Sequence, residues 1–188
     1  MALGLDVTFA DDHVFFPENH LARIGGSFDG LLAAAAIQDA DPAAAPPEIR
    51  TKSAETLFVS AAQRQDLEQF CHASRIPICK RPDVWGDLLE PFTDTQLTPE
   101  QEAATLNRLG HAGLTNAEIT RIRAKVGPLM LAYNARHWDW FHLSLADLLD
   151  AATTAWLPEH LRAGLGEITS FYTWAMGIAN TSGPQPAV

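Results

Sequence analysis

His137, Asp139 and His142 are the residues whose types and spacing come closest to chemistry in this chain. On an ideal helix Asp139 and His142 are i, i+3 neighbours, so the carboxylate can accept a ring N–H and orient the imidazole for proton transfer. Tyr133 or His137 can assist such a pair. His137 and His142 themselves are separated by roughly 140° round a helix axis and do not converge on one metal ion. Zinc sites on helices use histidines at i, i+4, and di-iron bundles use Glu-x-x-His. Neither pattern occurs, and no metal or cofactor is expected. The competing reading places both histidines at the edge of a core, giving their ring protons to neighbours.

Aromatic residues crowd the same stretch. Trp138, Trp140, Trp156 and Trp174 are four of the five tryptophans, and Phe141, Phe171 and Tyr172 accompany them. Trp138 and Trp140, two positions apart, point about 160° away from each other on a helix and cannot share one small core. Large rings on both sides of a helix suit a dimer seam or an apolar-ligand pocket. The equal alternative is a second helix layer over the back face. Trp138, Trp140, Tyr133 and Phe141 are therefore the candidate ligand or partner contacts.

These residues need one element to hold them, and the spacing predicts it over residues 128–156. Leu129, Met130, Tyr133, His137, Trp140, Phe141, Leu145, Leu148 and Leu149 form a broad apolar stripe, with Asp139, Asp147, Asp150 and Thr154 opposite. As one helix of about 29 residues it would be roughly 43 Å long. Gly127-Pro128 either breaks the chain before it or kinks a continuous helix, and the break is preferred.

The remaining elements follow from local signals. Leu5, Val7 and Phe9 alternate and are followed by Val14, Phe15 and Phe16, which reads as a hairpin or extended arm. Gly25-Gly26-Ser27 precedes an alanine-rich run, so Ser27 is expected to cap a helix over 28–40. The glycine pair lacks the spacing and lysine of a phosphate loop and reads as a turn. The prolines of Asp41–Pro47 predict an extended linker over 41–50. Helices are expected over 53–74, capped by Ser53, and over 83–90. Thr98-Pro99-Glu100-Gln101 and Thr115-Asn116-Ala117-Glu118 are capping boxes that open two more, the second to about Val126. Pro158 opens a last helix to about Asn180, which Gly164 and Gly166 can split. The resulting fold class is mainly α, a single-domain array of six to seven helices round the 128–156 helix. The boundaries are an N-terminal arm and short helix over 1–40, the linker over 41–50, a helical domain over 51–180 and a disordered tail over 181–188.

The totals exclude several function classes. With 23 acidic against 13 basic side chains in 188 residues, the net charge of −10 argues against nucleic acid or an anionic membrane as the main partner. The excess is largest in residues 1–50, with Asp6, Asp11, Asp12, Glu18, Asp29, Asp39, Asp41 and Glu48 against Arg23 and Arg50. The longest apolar run, Leu31 to Ile37, is far too short to span a bilayer. Cys71 and Cys79 do not make a disulfide framework, and without a signal peptide they read as reduced thiols of a cytoplasmic protein. Lys80, Arg81 and Arg75 surround Cys79 with positive charge, although a quiet cysteine is the default. Arginine-over-lysine usage and abundant alanine fit a bacterial origin.

One stretch invites a family comparison. Leu97, Thr98, Pro99, Gly113, Leu114, Thr115, Asn116, Glu118 and Ile119 stand as in the opening of a LuxR-type helix-turn-helix, which the segment 97–119 resembles. That resemblance implies a DNA-binding regulator. The departures are a first helix two residues too long, Gln101 for the family's Glu, Thr120 for its small Ala, and an apolar Pro128–Trp138 where recognition residues belong. Arg121, Arg123 and Lys125 supply a small basic cluster nonetheless. Three functions are carried forward. The leading one is a non-catalytic interaction or small apolar-ligand-binding protein, self-associating as a homodimer through the aromatic helix face. The others are a small enzyme using Asp139 and His142, and the DNA-binding regulator.

Overall fold

The computed structural model describes residues 6–16, 30–137 and 142–181. The chain divides into two compact units, within Ala2–Arg81 and Pro82–Ser182. The described residues are mainly helical, with seven α-helices and two three-stranded sheets. The strands reach well past the short N-terminal arm expected.

In the first unit β1 (Thr8–Phe9), β2 (His13–Phe15) and β3 (Leu31–Ala33) form an antiparallel sheet in chain order. A second antiparallel sheet contains β4 (Ile37–Asp41), β5 (Glu48–Thr51) and β6 (Thr56–Phe58). The helix α1 (Arg64–Ser74) follows a 3-10 turn capped by Ser60. One core joins all three: Val7, Val14, Phe16, Leu32, Ile49, Leu57, Leu67 and Phe70 are buried together.

Three expectations are corrected here. The helix expected over 28–40 does not form, because residues 31–41 form β3, a 3-10 turn and β4, while its expected cap Ser27 lies outside the described residues. Alanine's helix propensity is worth only tenths of a kcal/mol per residue, and cross-strand burial of Leu32 on Val14 and of Ala40 on Ile49 overrides it. The expected linker is a hairpin loop. Asp41 ends β4, its carboxylate accepts the Ala43 N–H at 3.0 Å, and the chain returns as β5 through a cis Ala45–Pro46 bond. The expected helix start at Ser53 fails as well, because Thr56, Leu57 and Phe58 are buried on both faces as a strand. Ala54 makes the preceding turn at φ 65°.

A buried ionic cluster ties this unit's second sheet to its irregular end. The Arg50 guanidinium pairs with Asp39 on β4 and donates to the Cys79 carbonyl. Arg81 donates to Thr56 Oγ1 at 3.0 Å and pairs with Glu48 at 3.1 Å. Two carboxylates and two guanidiniums thus balance one another.

In the second unit α2 (Val84–Leu89), α3 (Pro99–His111) and α4 (Asn116–His137) precede α5 (Leu145–Thr153), α6 (Glu159–Ala163) and α7 (Ile168–Ala179). Both capping boxes form: Thr98 with Gln101, and Thr115 with Glu118. The expected break at Gly127-Pro128 does not occur, and α4 runs through it. Val126, Leu129 and Met130 anchor both sides in the core, while the Pro128 ring faces solvent. Gly127 lets the Phe92 ring approach; a Cβ there would stand 2.9 Å from Phe92 Cε1. The single rod over 128–156 is likewise corrected. Described α4 ends at His137, and α5 starts afresh under a Ser144–Asp147 capping box. Glycine does split the last helix, with Gly166 at φ 90° between α6 and α7.

Two outcomes check these interactions. Arg50→Ala should cost about 3–5 kcal/mol by leaving a buried carboxylate unpaired, read from urea unfolding. At the start of α7, Glu167 accepts the Thr169 and Ser170 N–H groups, which hold its carboxyl at about 2, below the usual 4.5. A depressed carboxyl stabilises the fold above its unfolded value and loses that contribution as pH falls toward 2. Thermal melts followed by circular dichroism between pH 6 and 3 should therefore fall less steeply for Glu167→Gln than for the parent.

Candidate functional site

Trp138, Asp139, Trp140 and Phe141 lie outside the described residues, and His137 is placed only as the last residue of α4. The Asp139–His142 pairing therefore lies outside them too. His142 is exposed, and its Nε2 stands 3.3 Å from Oδ2 of Asp83. Asp83 also caps α2, accepting the Gly86 N–H at 2.8 Å. Gly86 makes room for the pair, since a Cβ there would come within 2.3 Å of the Asp83 carboxylate and 2.8 Å of the His142 ring. The histidine thus has a carboxylate partner from a distant part of the sequence.

Tyr133, expected to touch a ligand, is in the core. Its hydroxyl donates to Asp150 at 2.9 Å and its ring stacks on Trp156 with centroids 5.7 Å apart. Cys71 is buried, and that burial, followed by the charges of Asp39 and Glu68, pushes its thiol up to about 11. It is therefore protonated at neutral pH. Arg123, one of the three basic residues that follow the helix-turn-helix-like segment, is half-buried and donates to the carbonyls of Leu88 and Asp87. Burial lowers its pKa.

A cleft in the first unit brings together residues that were not singled out as a site. Its walls are Val7–Asp11 on one side and Gln63, Asp66, Gln69, Phe70 and Ala73 on the other, around a largely open space of about 580 Å³. Strand β1 lies at the edge of its sheet, and α1 faces its open side across the cleft. The Phe9 and Phe70 rings meet at the floor with centroids 5.3 Å apart. Both charged lining residues, Asp11 and Asp66, are acidic.

The hydrogen-bond pattern decides what that edge offers. In an antiparallel ladder each residue's peptide groups point toward one neighbour, and successive residues alternate. Ala10 N–H donates to the His13 carbonyl at 2.8 Å, so in the register Thr8↔Phe15 is the next bonded pair. Asp12 and Phe16 bond toward β3, through Ala34 and Gly30, and Val14 follows the same alternation. Phe9, opposite Val14, consequently turns both its N–H and its carbonyl away from β2 and toward the open side. Val7 does the same and is satisfied by a side chain: its N–H donates to Gln63 Oε1 at 2.7 Å, and Gln63 Nε2 donates to its carbonyl at 2.8 Å. The Gln63 amide thereby occupies the place of one peptide unit of a neighbouring strand. Beyond it, the two peptide groups of Phe9 have no hydrogen-bond partner among the described residues.

The alternation Leu5-Val7-Phe9 was the sequence signal for this strand, and Phe70 falls within the helix expected over 53–74. Nothing local marks Gln63, whose partner lies 56 positions away. No protein-family model, curated protein or solved structure matches the chain. Among the described residues no helix is long and apolar enough to cross a membrane.

Replacement of the amide checks this geometry. Gln63→Glu keeps an acceptor for Val7 N–H but sets a carboxylate oxygen against the Val7 carbonyl. It should cost about 1–3 kcal/mol. Faster hydrogen exchange at the Val7 amide, read by NMR, should accompany that loss.

Proposed function

We propose that the chain is a non-catalytic interaction protein that takes up a short extended polypeptide segment along β1. The observation that carries this reading is the outward-turned N–H and carbonyl of Phe9 at the floor of a cleft walled by α1. An extended segment laid there completes the ladder with two main-chain hydrogen bonds. Its side chain opposite Phe9 falls on the Phe9 and Phe70 rings. Strand addition at a sheet edge draws affinity from main-chain bonds and specificity from pockets for alternate side chains, and the cleft offers both. An unprotected edge is otherwise a liability, and Gln63 already covers the one other outward-facing peptide unit of this strand. This reading moves the docking surface from the aromatic helix face to the N-terminal strand, because Tyr133 is committed inside the core.

A library of displayed octapeptides supplies the test. Selected peptides should shift the backbone NMR signals of residues 7–11 and 63–73. Ala73→Trp, an exposed substitution that fills the cleft, should weaken them at least about tenfold, equivalent to about 1.4 kcal/mol. Peptides that bind yet leave those signals unmoved would sink the proposal.

A further inference from the structure

The opening at Phe9 is one residue long. On one side the Gln63 amide fills the position opposite Val7, and on the other Asp11 and Asp12 turn the chain from β1 into β2. Within that span Phe9 presents one N–H and one carbonyl on the same side of the strand, since the two groups of a single extended residue point the same way.

The chain itself displays a group that meets such a pair. The Gln63 side chain takes the Val7 N–H on Oε1 at 2.7 Å and donates from Nε2 to the Val7 carbonyl at 2.8 Å. A primary carboxamide does this because its oxygen and one of its N–H bonds lie along a single edge. A trans peptide group cannot, since its N–H and C=O point in opposite directions. Phe9 repeats the outward orientation of Val7 two residues along the strand, and among the described residues nothing completes it. We infer that the Phe9 opening is a binding site for a primary carboxamide carried on a flat apolar ring. The carboxamide accepts the Phe9 N–H and donates to the Phe9 carbonyl. Its ring lies against Phe9 and Phe70, whose centroids are 5.3 Å apart at the floor of the cleft.

This inference goes beyond the uptake of a polypeptide, because a free small molecule satisfies it. The two ligands exclude each other, since both use the same N–H and carbonyl. The edge also rejects close relatives of the carboxamide. A carboxylate has no donor for the Phe9 carbonyl, and none of the described lining residues is basic. An N,N-dialkyl amide keeps the acceptor and loses both donors.

Benzamide, N,N-dimethylbenzamide, benzoate and acetamide test the site on the full chain, by NMR titration up to the solubility of each. Benzamide should bind in the millimolar range, as befits so small a ligand. It should move the Phe9 amide proton and slow its exchange with solvent, while the Val7 amide keeps its protection. Its affinity should exceed that of the dimethyl amide and of benzoate at least about fivefold, the size expected of a two-point hydrogen bond. Acetamide, lacking the ring, should bind more weakly than benzamide, and Ala73→Trp should remove the benzamide response by filling the cleft. Equal binding of benzamide and its dimethyl derivative would mean that the ring alone is held, and would overturn the inference. No response at Phe9 to benzamide would overturn it as well, and octapeptides that still bind the cleft would then leave the strand-addition reading standing. Benzamide binding at Phe9 where no displayed peptide binds would uphold the carboxamide site and overturn the strand-addition reading alone.

Discussion

A strand at the edge of a sheet turns every second peptide unit away from its only neighbour, and those groups must find a partner or stay in water. In β1 that constraint falls on Val7 and Phe9. Val7 is buried, so leaving its N–H and carbonyl unmet would carry a desolvation cost, and the Gln63 amide supplies both missing bonds. Phe9 is only half-buried and its groups remain open to the cleft. The difference between these neighbours is that one outward-facing peptide unit is satisfied within the chain and the next is left open.

The strand can hold that position because the rest of its unit is fixed. Phe70 on α1 packs under Phe9, and Leu67 and Cys71 on the same helix belong to the core that the two sheets share. Below them the Asp39–Arg50 pair, with Glu48 and Arg81, pins the second sheet to the irregular segment after α1. A buried cluster of this kind is weak evidence of stability in itself, since burying each charge carries a desolvation cost. Its value is geometric: a guanidinium bonded to two chain segments at once fixes their spacing.

Of the residues expected to do chemistry, His142 is one that the structure describes. His142 does meet a carboxylate, but Asp83 supplies it, through a cap that α2 needs anyway and a glycine that leaves room. Both side chains are substantially exposed, and an exposed pair is worth little energetically. Sequence spacing pointed to Asp139, which lies outside the described residues, because i, i+3 proximity is the only closeness a sequence displays. Contacts between residues 59 positions apart, as 83 and 142 are, have no local signature.

By itself the sequence determined what depends on the nearest few residues. The capping boxes at Thr98 and Thr115, the short helix after Asp83, the glycine split before α7 and the alternation of β1 were all readable, because each is a local hydrogen bond or a local conformational preference. The same locality misled where packing outweighed preference. Alanines at 33–36 lie in a strand and a 3-10 turn, prolines at 46 and 47 make a hairpin loop, and Pro128 sits inside a helix because core residues on either side hold it. Only the tertiary structure decided that Gln63 would complete β1, that Phe9 would keep its peptide groups open, and that Asp11 and Asp66 would line one cleft. Those facts depend on which distant segment lies alongside, and the net burial and bonding of the whole unit settle that, since no single residue's propensity can.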